Sequence, residues 1–157
     1  MSEESRKKAL NTAANVLQYR NRSSRDLLER LLEKGVEESD AEWAVSRLQE
    51  LGLLSDSRYA ADIARGYAMR GYGAGRVRQE LRKKHISDED IEAAMEEFTP
   101  DMDKALAFAA GKLSRKNADR KDVKRVHDAL FRRGFSYEEI SDILRRYTSE
   151  LEDNGEL

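Results

Sequence analysis

A block of 24 residues occurs three times in this chain without a gap. The copies run from Arg25 to Leu48, Gly75 to Phe98 and Lys124 to Tyr147, starting 50 and then 49 residues apart. Their apolar positions coincide: Leu27, Val77 and Val126; Leu31, Leu81 and Leu130; Val36, Ile86 and Phe135; Val45, Met95 and Leu144. A basic residue precedes the middle turn each time, at Lys34, Lys84 and Arg133. A fixed period of this size describes an array of like modules. A lone module of about 50 residues buries too little surface to be secure, so neighbours are expected to lean on each other. Arrays present an extended surface to another macromolecule more readily than they enclose an active site. The first question is therefore what this chain holds.

The periods are helical throughout. In the second block Val77 and Leu81 are four apart, Ile86 marks a turn, and Ile91, Ala94, Met95 and Phe98 recur at three and four, one stripe of a second helix. Ser87 with Asp90, and Ser136 with Glu139, have capping-box spacing. In the first block Glu37 and Asp40 stand there, with Ser39 as a competing cap. Gly35 and Gly134 sit where a left-handed C-cap favours glycine, and His85 holds that place in the middle block. A further helical stretch precedes each pair: Ala9, Ala13, Val16 and Leu17; then Tyr59, Ala60, Ile63, Ala64, Tyr67 and Ala68; then Ala105, Phe108, Ala109 and Leu113. Leu51 to Asp56 and Thr99-Pro100-Asp101 punctuate the boundaries. The expectation is an all-α, elongated tandem array of three three-helix modules, at 1–52, 53–99 and 100–157, the last with an acidic tail.

Composition narrows the chemistry. There is no cysteine, which excludes disulfides, thiol catalysis and cysteine-type zinc sites, and fits a reducing, cytoplasmic setting. The N-terminus MSEESRKKAL lacks the apolar stretch of a signal peptide, and no apolar run approaches the roughly 20 residues that cross a bilayer. Charged residues make up 38% of the chain, but the net charge is only −2, so segregation matters more than the sum. Arg58 to Lys84 holds eight basic residues against two acids, and Lys112 to Arg133 holds nine against three. Ser87 to Asp103, between them, has eight acids and no base.

Each candidate site has a plain alternative. Gly71-Tyr72-Gly73-Ala74-Gly75 invites a phosphate-loop reading, but it lacks the preceding strand and the lysine. It reads better as a flexible connector that delivers Arg76 and Arg78 to a helix N-terminus. Arg78 and Arg82 are four apart, on a face turned from Val77 and Leu81, and Lys83 and Lys84 extend the patch. Arg70 precedes it. In the third module Lys121, Arg125 and Arg132 share a face, with Lys124 adjacent. The competing reading is solvation and intrahelical pairing, for example of Arg76 or Lys84 with Glu80. These ten cations are the candidate partner-binding residues. His85 and His127 read as satisfied structural histidines, without clustered ligands for a metal, and no triad supports a nucleophile. The aromatic residues, Phe131 among them, fall mostly on apolar stripes, whereas Tyr72 in the glycine loop is the expected exposed ring.

The modules resemble a known family. Tyr19 to Val36, YRNRSSRDLLERLLEKGV, is similar to the R-x-R-S-x-x-E-L-x-x-x-L-x-x-K-G pattern of the RecX regulatory family, with Asp26 at the acidic position. Leu51 to Ile86 resembles that family's central module, with Val77 for its common isoleucine and His85 for the glycine of K-G-I. FRRGFSYEEI resembles its C-terminal repeat, and the likeness covers about Ala9 to Tyr147. The resemblance implies a non-enzymatic, monomeric regulator in DNA repair, recombination and the SOS response. Its partner would be RecA and the RecA filament on single-stranded DNA, whose ATPase and strand exchange it would inhibit, with weak direct DNA contact and no cofactor or metal. The alternatives are a DNA-binding helical protein that competes for DNA, and a helical adaptor for an unrelated partner. The array reading makes a prediction about shape. A compact globule of this length has a radius of gyration of about 15 Å. Small-angle scattering of the monomer is expected to give a distinctly larger radius and an elongated distance distribution.

Overall fold

In the computed structural model, residues 2–112 and 120–153 are described, with side chains for 2–112 and 122–149. Among the described residues there are nine helices and no strand. They are α1 (Glu3–Tyr19), α2 (Ser24–Glu33), α3 (Glu38–Glu50), α4 (Asp56–Met69), α5 (Ala74–Lys83), α6 (Asp88–Glu97), α7 (Met102–Lys112), α8 (Arg120–Arg132) and α9 (Tyr137–Asp153). None is long and apolar enough to cross a membrane. Leu113, expected on the stripe of α7, lies outside the described residues, as does the end of the acidic tail.

The caps fall where local chemistry places them. Ser87 Oγ accepts from the Asp90 amide, and Ser136 Oγ from the Glu139 amide, while Glu139 Oε1 accepts back from the Ser136 amide at 2.8 Å. The second of these is a complete capping box. The Asp101 carboxylate caps α7 by accepting from the Lys104 amide. In the first module Glu37 is the N-cap of α3 and supplies no side-chain bond, so neither Glu37 nor the competing Ser39 caps the helix.

Three turns share one stop. After α2, α5 and α8 the amides of Val36, Ile86 and Phe135 donate to the carbonyls of Leu31, Leu81 and Leu130. Those of Gly35, His85 and Gly134 donate to the carbonyls of Leu32, Arg82 and Phe131. This is the Schellman pattern, which requires a left-handed residue at the pivot. The pivots have φ of 88° at Gly35, 60° at His85 and 98° at Gly134. The apolar residue after each pivot is thereby turned inward; Ile86 and Phe135 are buried.

The chain divides into two compact units, and the division passes through α4, α5 and α6. The first holds α1 to α3, the start of α4 and Leu81–Ala94. Its core joins Ala9, Ala13 and Val16 of α1 to Leu27 and Leu31 of α2 and to Ala41, Ala44, Val45 and Leu48 of α3. Alanine on α1 and α3 lets the helices approach closely, while the leucines fill the space between. Leu54, on the link after α3, closes that core. Asp56, the first residue of α4, accepts from the Ser24 amide at 2.8 Å and from its hydroxyl at 2.6 Å, tying α4 to the start of α2.

The second unit comprises Ile63–Glu80 and the chain from Met95 onward. Ala105 and Ala109 of α7 pack on Val126 and Leu130 of α8, Phe135, and Ile140 and Ile143 of α9. Here the glycine loop meets the turn after α8. The Gly73 amide donates to the Arg133 carbonyl at 2.8 Å, and the Gly75 amide to the Gly134 carbonyl at 3.0 Å. A Cβ on Gly73 would lie 2.6 Å from the Gly134 carbonyl, and one on Gly134 would lie 2.2 Å from the Arg76 amide nitrogen. The glycines therefore permit two backbones to touch, and the loop is a docking strip, not the slack connector expected.

This arrangement predicts opposite outcomes for two glycines. Gly134→Ala places a side chain into backbone and at positive φ, and is expected to lower stability by about 2–4 kcal/mol. Gly66→Ala, inside α4 with open space around its Cβ, is expected to raise stability by about 0.4–1 kcal/mol. Urea denaturation of the two variants checks both signs.

Candidate partner-binding surface

The expected cations divide between the two units. In the second unit, Arg70 is exposed but its guanidinium lies 4.2 Å from the centroid of the Tyr67 ring. Arg76, third in α5, pairs with Glu80 at 3.1 Å, the intrahelical pairing weighed as the alternative to a partner. Arg78 is half-buried. On α8, Lys124, Arg125 and Arg132 are exposed, and Arg125 reaches Asp122 only at 3.8 Å. The side chain of Lys121 lies outside the described residues. In the first unit, Arg82 and Lys83 are exposed and Lys84 is half-buried, while Val77 and Leu81 of the same helix are fully buried. The patch face on α5 is thus turned from the apolar stripe as the spacing predicts.

Tyr72 departs from expectation. It is half-buried, with its ring edge-on to Tyr67 at 5.2 Å and the guanidinium groups of Arg133, Arg76 and Arg70 at 4.4, 5.4 and 5.7 Å from its centroid. The face of a tyrosine ring attracts cations, and three converge here. Arg133 also lies 3.8 Å from the Phe108 centroid and donates to the carbonyls of Arg70 at 2.8 Å and Gly71 at 3.3 Å. It is a structural clamp within the basic run, and part of that run's positive charge is spent inside the fold.

Phe131 is the second correction. Expected in the core, it is 66% exposed, because Val126, Leu130 and Phe135 fill the apolar face of α8 and its turn. With Arg132 and Arg76 it borders an open groove of about 680 Å³ beside the glycine loop. An exposed aromatic next to an exposed arginine is a composition enriched at protein interfaces. The sequence hint was its place one residue beyond Leu130, off the stripe.

Of the two histidines expected to be satisfied, His85 has a carboxylate partner and His127 has none at Nε2 among the described residues. His127 stands 5.3 Å from the Tyr137 ring, and that Nε2 is buried. His85 Nδ1 lies 2.8 Å from Asp26 Oδ1, and Asp26, Glu29 and His85 bring one ligand atom each within 4.8 Å of one another. Residues 59 positions apart are thus brought together, a clustering that the linear spacing did not reveal.

Three family models match in chain order: the first three-helix domain of RecX over residues 9–48, the second over 55–95 and the third over 100–144. This chain belongs to the RecX family. Regulatory protein RecX of Vibrio parahaemolyticus is 34% identical over 131 residues, covering 82% of this chain and 84% of its own length. Regulatory protein RecX of Escherichia coli is 33% identical over 153 residues, covering 88% and 90%. The crystal structure of RecX from Lactobacillus salivarius shares the fold, with a TM-score of 0.85 over 94% of this chain and 99% of that one at 24% identity. A second crystal structure, of a regulatory protein RecX, gives 0.78 at 28% identity over 90% of this chain and 72% of that one. These relatives are named as regulators, not enzymes.

The arginine-ringed tyrosine yields a prediction within this RecX-family chain. Tyr72→Leu removes the ring that gathers the three guanidiniums and is expected to cost about 1–2 kcal/mol, whereas Tyr72→Phe keeps the ring face and changes stability by less than about 0.5 kcal/mol. Chemical denaturation of the two variants separates the ring from the hydroxyl.

Proposed function

We propose that this chain is a non-enzymatic regulator that binds RecA and its filament on single-stranded DNA, and inhibits ATP hydrolysis and strand exchange in the cytoplasm. The observation that carries this reading is the ordered succession of all three RecX domains over most of the chain. Modules joined in tandem and bearing exposed cations suit a partner that is itself a repeating, charged assembly. Contact with adjacent filament subunits hinders duplex entry, or favours one filament state over another. The second effect requires different affinities for the two states.

The contact surface in this reading comprises Arg78, Arg82, Lys83 and Lys84 on α5 and its end, with Lys121, Lys124, Arg125 and Arg132 on α8, and Arg70 and Arg76 as flanking contributors. Exposed Lys124, Arg125 and Arg132 on one helix also support a second reading, in which the chain competes for DNA. The two differ in salt dependence. A DNA competitor binds DNA without RecA, with affinity falling steeply as salt rises through counterion release, while a RecA binder shows little such binding.

The decisive measurements are co-sedimentation with RecA on single-stranded DNA and RecA ATPase at substoichiometric chain. The expected results are association with the filament and a lowered ATPase rate; neither effect at saturating chain rejects the proposal. Arg78→Glu with Arg82→Glu is expected to weaken filament binding, mainly by slowing association, with helicity intact. Asp88→Lys with Glu89→Lys is expected to matter less. Equal losses from both pairs would misplace the surface.

A further inference from the structure

His85 is the only non-glycine residue with positive φ among the described residues, at 60°, where the equivalent turns carry Gly35 and Gly134. A side chain in that conformation costs about 1–2 kcal/mol, so a histidine at this pivot points to something the side chain does. The imidazole is held against α2, with Nδ1 2.8 Å from Asp26 Oδ1. Asp26 and Glu29 are three residues apart and so share a helix face. Donor atoms from the three residues already lie within 4.8 Å of one another. A tetrahedral zinc ion, with bonds of about 2.0–2.2 Å to nitrogen and oxygen, spaces its donors by roughly 3.2–3.6 Å. Side-chain rotation on this scale brings the set to that spacing without moving either helix.

We propose that Asp26, Glu29 and His85 form a three-ligand site for a divalent ion of the zinc class, completed by water, which staples the first turns of α2 to the turn between α5 and α6. Two carboxylates and a neutral imidazole balance a dication. The imidazole selects zinc, cobalt or nickel over magnesium and calcium, which prefer oxygen alone. The competing contact is Arg25, whose Nε lies 3.4 Å from Glu29 Oε1, but both side chains are about half exposed or more and such pairs are weak. The site is independent of RecA binding, so it stands or falls separately.

The test uses the untagged full-length chain, freed of metal with chelator and titrated with zinc by calorimetry and with cobalt by visible absorption. Expected are one equivalent bound per chain, a raised melting temperature, and the visible bands of cobalt in a tetrahedral field. His85→Gly removes a ligand and places at the pivot the residue found in the two equivalent turns, so the fold is retained. It is expected to weaken binding at least about tenfold, with the cobalt bands lost. Glu29→Gln leaves the His85–Asp26 contact in place and alters an exposed position; it is also expected to weaken binding at least about tenfold. His127→Asn is expected to change nothing. No stoichiometric binding by the unaltered chain, or undiminished binding by either His85→Gly or Glu29→Gln, overturns the site.

Discussion

The second unit depends on a contact between two stretches of bare backbone. Gly73 and Gly75 donate to the carbonyls of Arg133 and Gly134, and the approach leaves no room for a Cβ on Gly73 or Gly134. Buried amides require partners, and here a loop of one module satisfies its own through the turn of the next. The left-handed pivot at Gly134 aims the carbonyl outward, and Phe135, turned inward by the same pivot, anchors the turn to the core of α7, α8 and α9. Arg133 closes the contact from the side, its guanidinium between the Tyr72 and Phe108 rings. Backbone geometry, core packing and cation–aromatic attraction thus meet within four residues.

The first unit meets the same requirement with different chemistry. Its pivot is His85, and the side chain that glycine would lack reaches the start of α2 at Asp26. Asp26 occupies the place in its repeat that Arg76 occupies in the next, so a carboxylate–imidazole contact stands where the second unit has backbone against backbone. Asp56 adds a second tie by accepting from the amide and hydroxyl of Ser24. The turns at His85 and Gly134 therefore serve twice, each ending its own helix and gripping the preceding module.

These joints also shape the surface left for a partner. Basic residues near a joint are drawn into the fold, as Arg133 and Arg76 are, while those on the outer face of α8 remain exposed. A charge count along the chain overstates what is on offer, because an arginine over a tyrosine ring and a solvated arginine read alike in sequence. Phe131 errs the other way: an apolar residue beside a stripe reads as core, yet the stripe was already filled by Leu130 and Phe135.

The sequence by itself determined the helices, the caps of α6 and α9 though not that of α3, and the order of the modules, because these depend on spacing, local hydrogen bonds and φ preferences within a few residues. Val77, Leu81 and Ile91 are buried as their periodicity requires, and Gly35, His85 and Gly134 are left-handed as their place after each helix requires. Even the family was legible, since three weak motifs in a fixed order are specific together. Only the tertiary structure decided what each turn touches. Nothing local in Gly-Tyr-Gly-Ala-Gly specifies a partner some 60 residues away, and nothing near His85 announces Asp26. Such pairs are selected by the packing of whole helices, which brings distant backbone and side-chain atoms within hydrogen-bond range after the local rules have been satisfied.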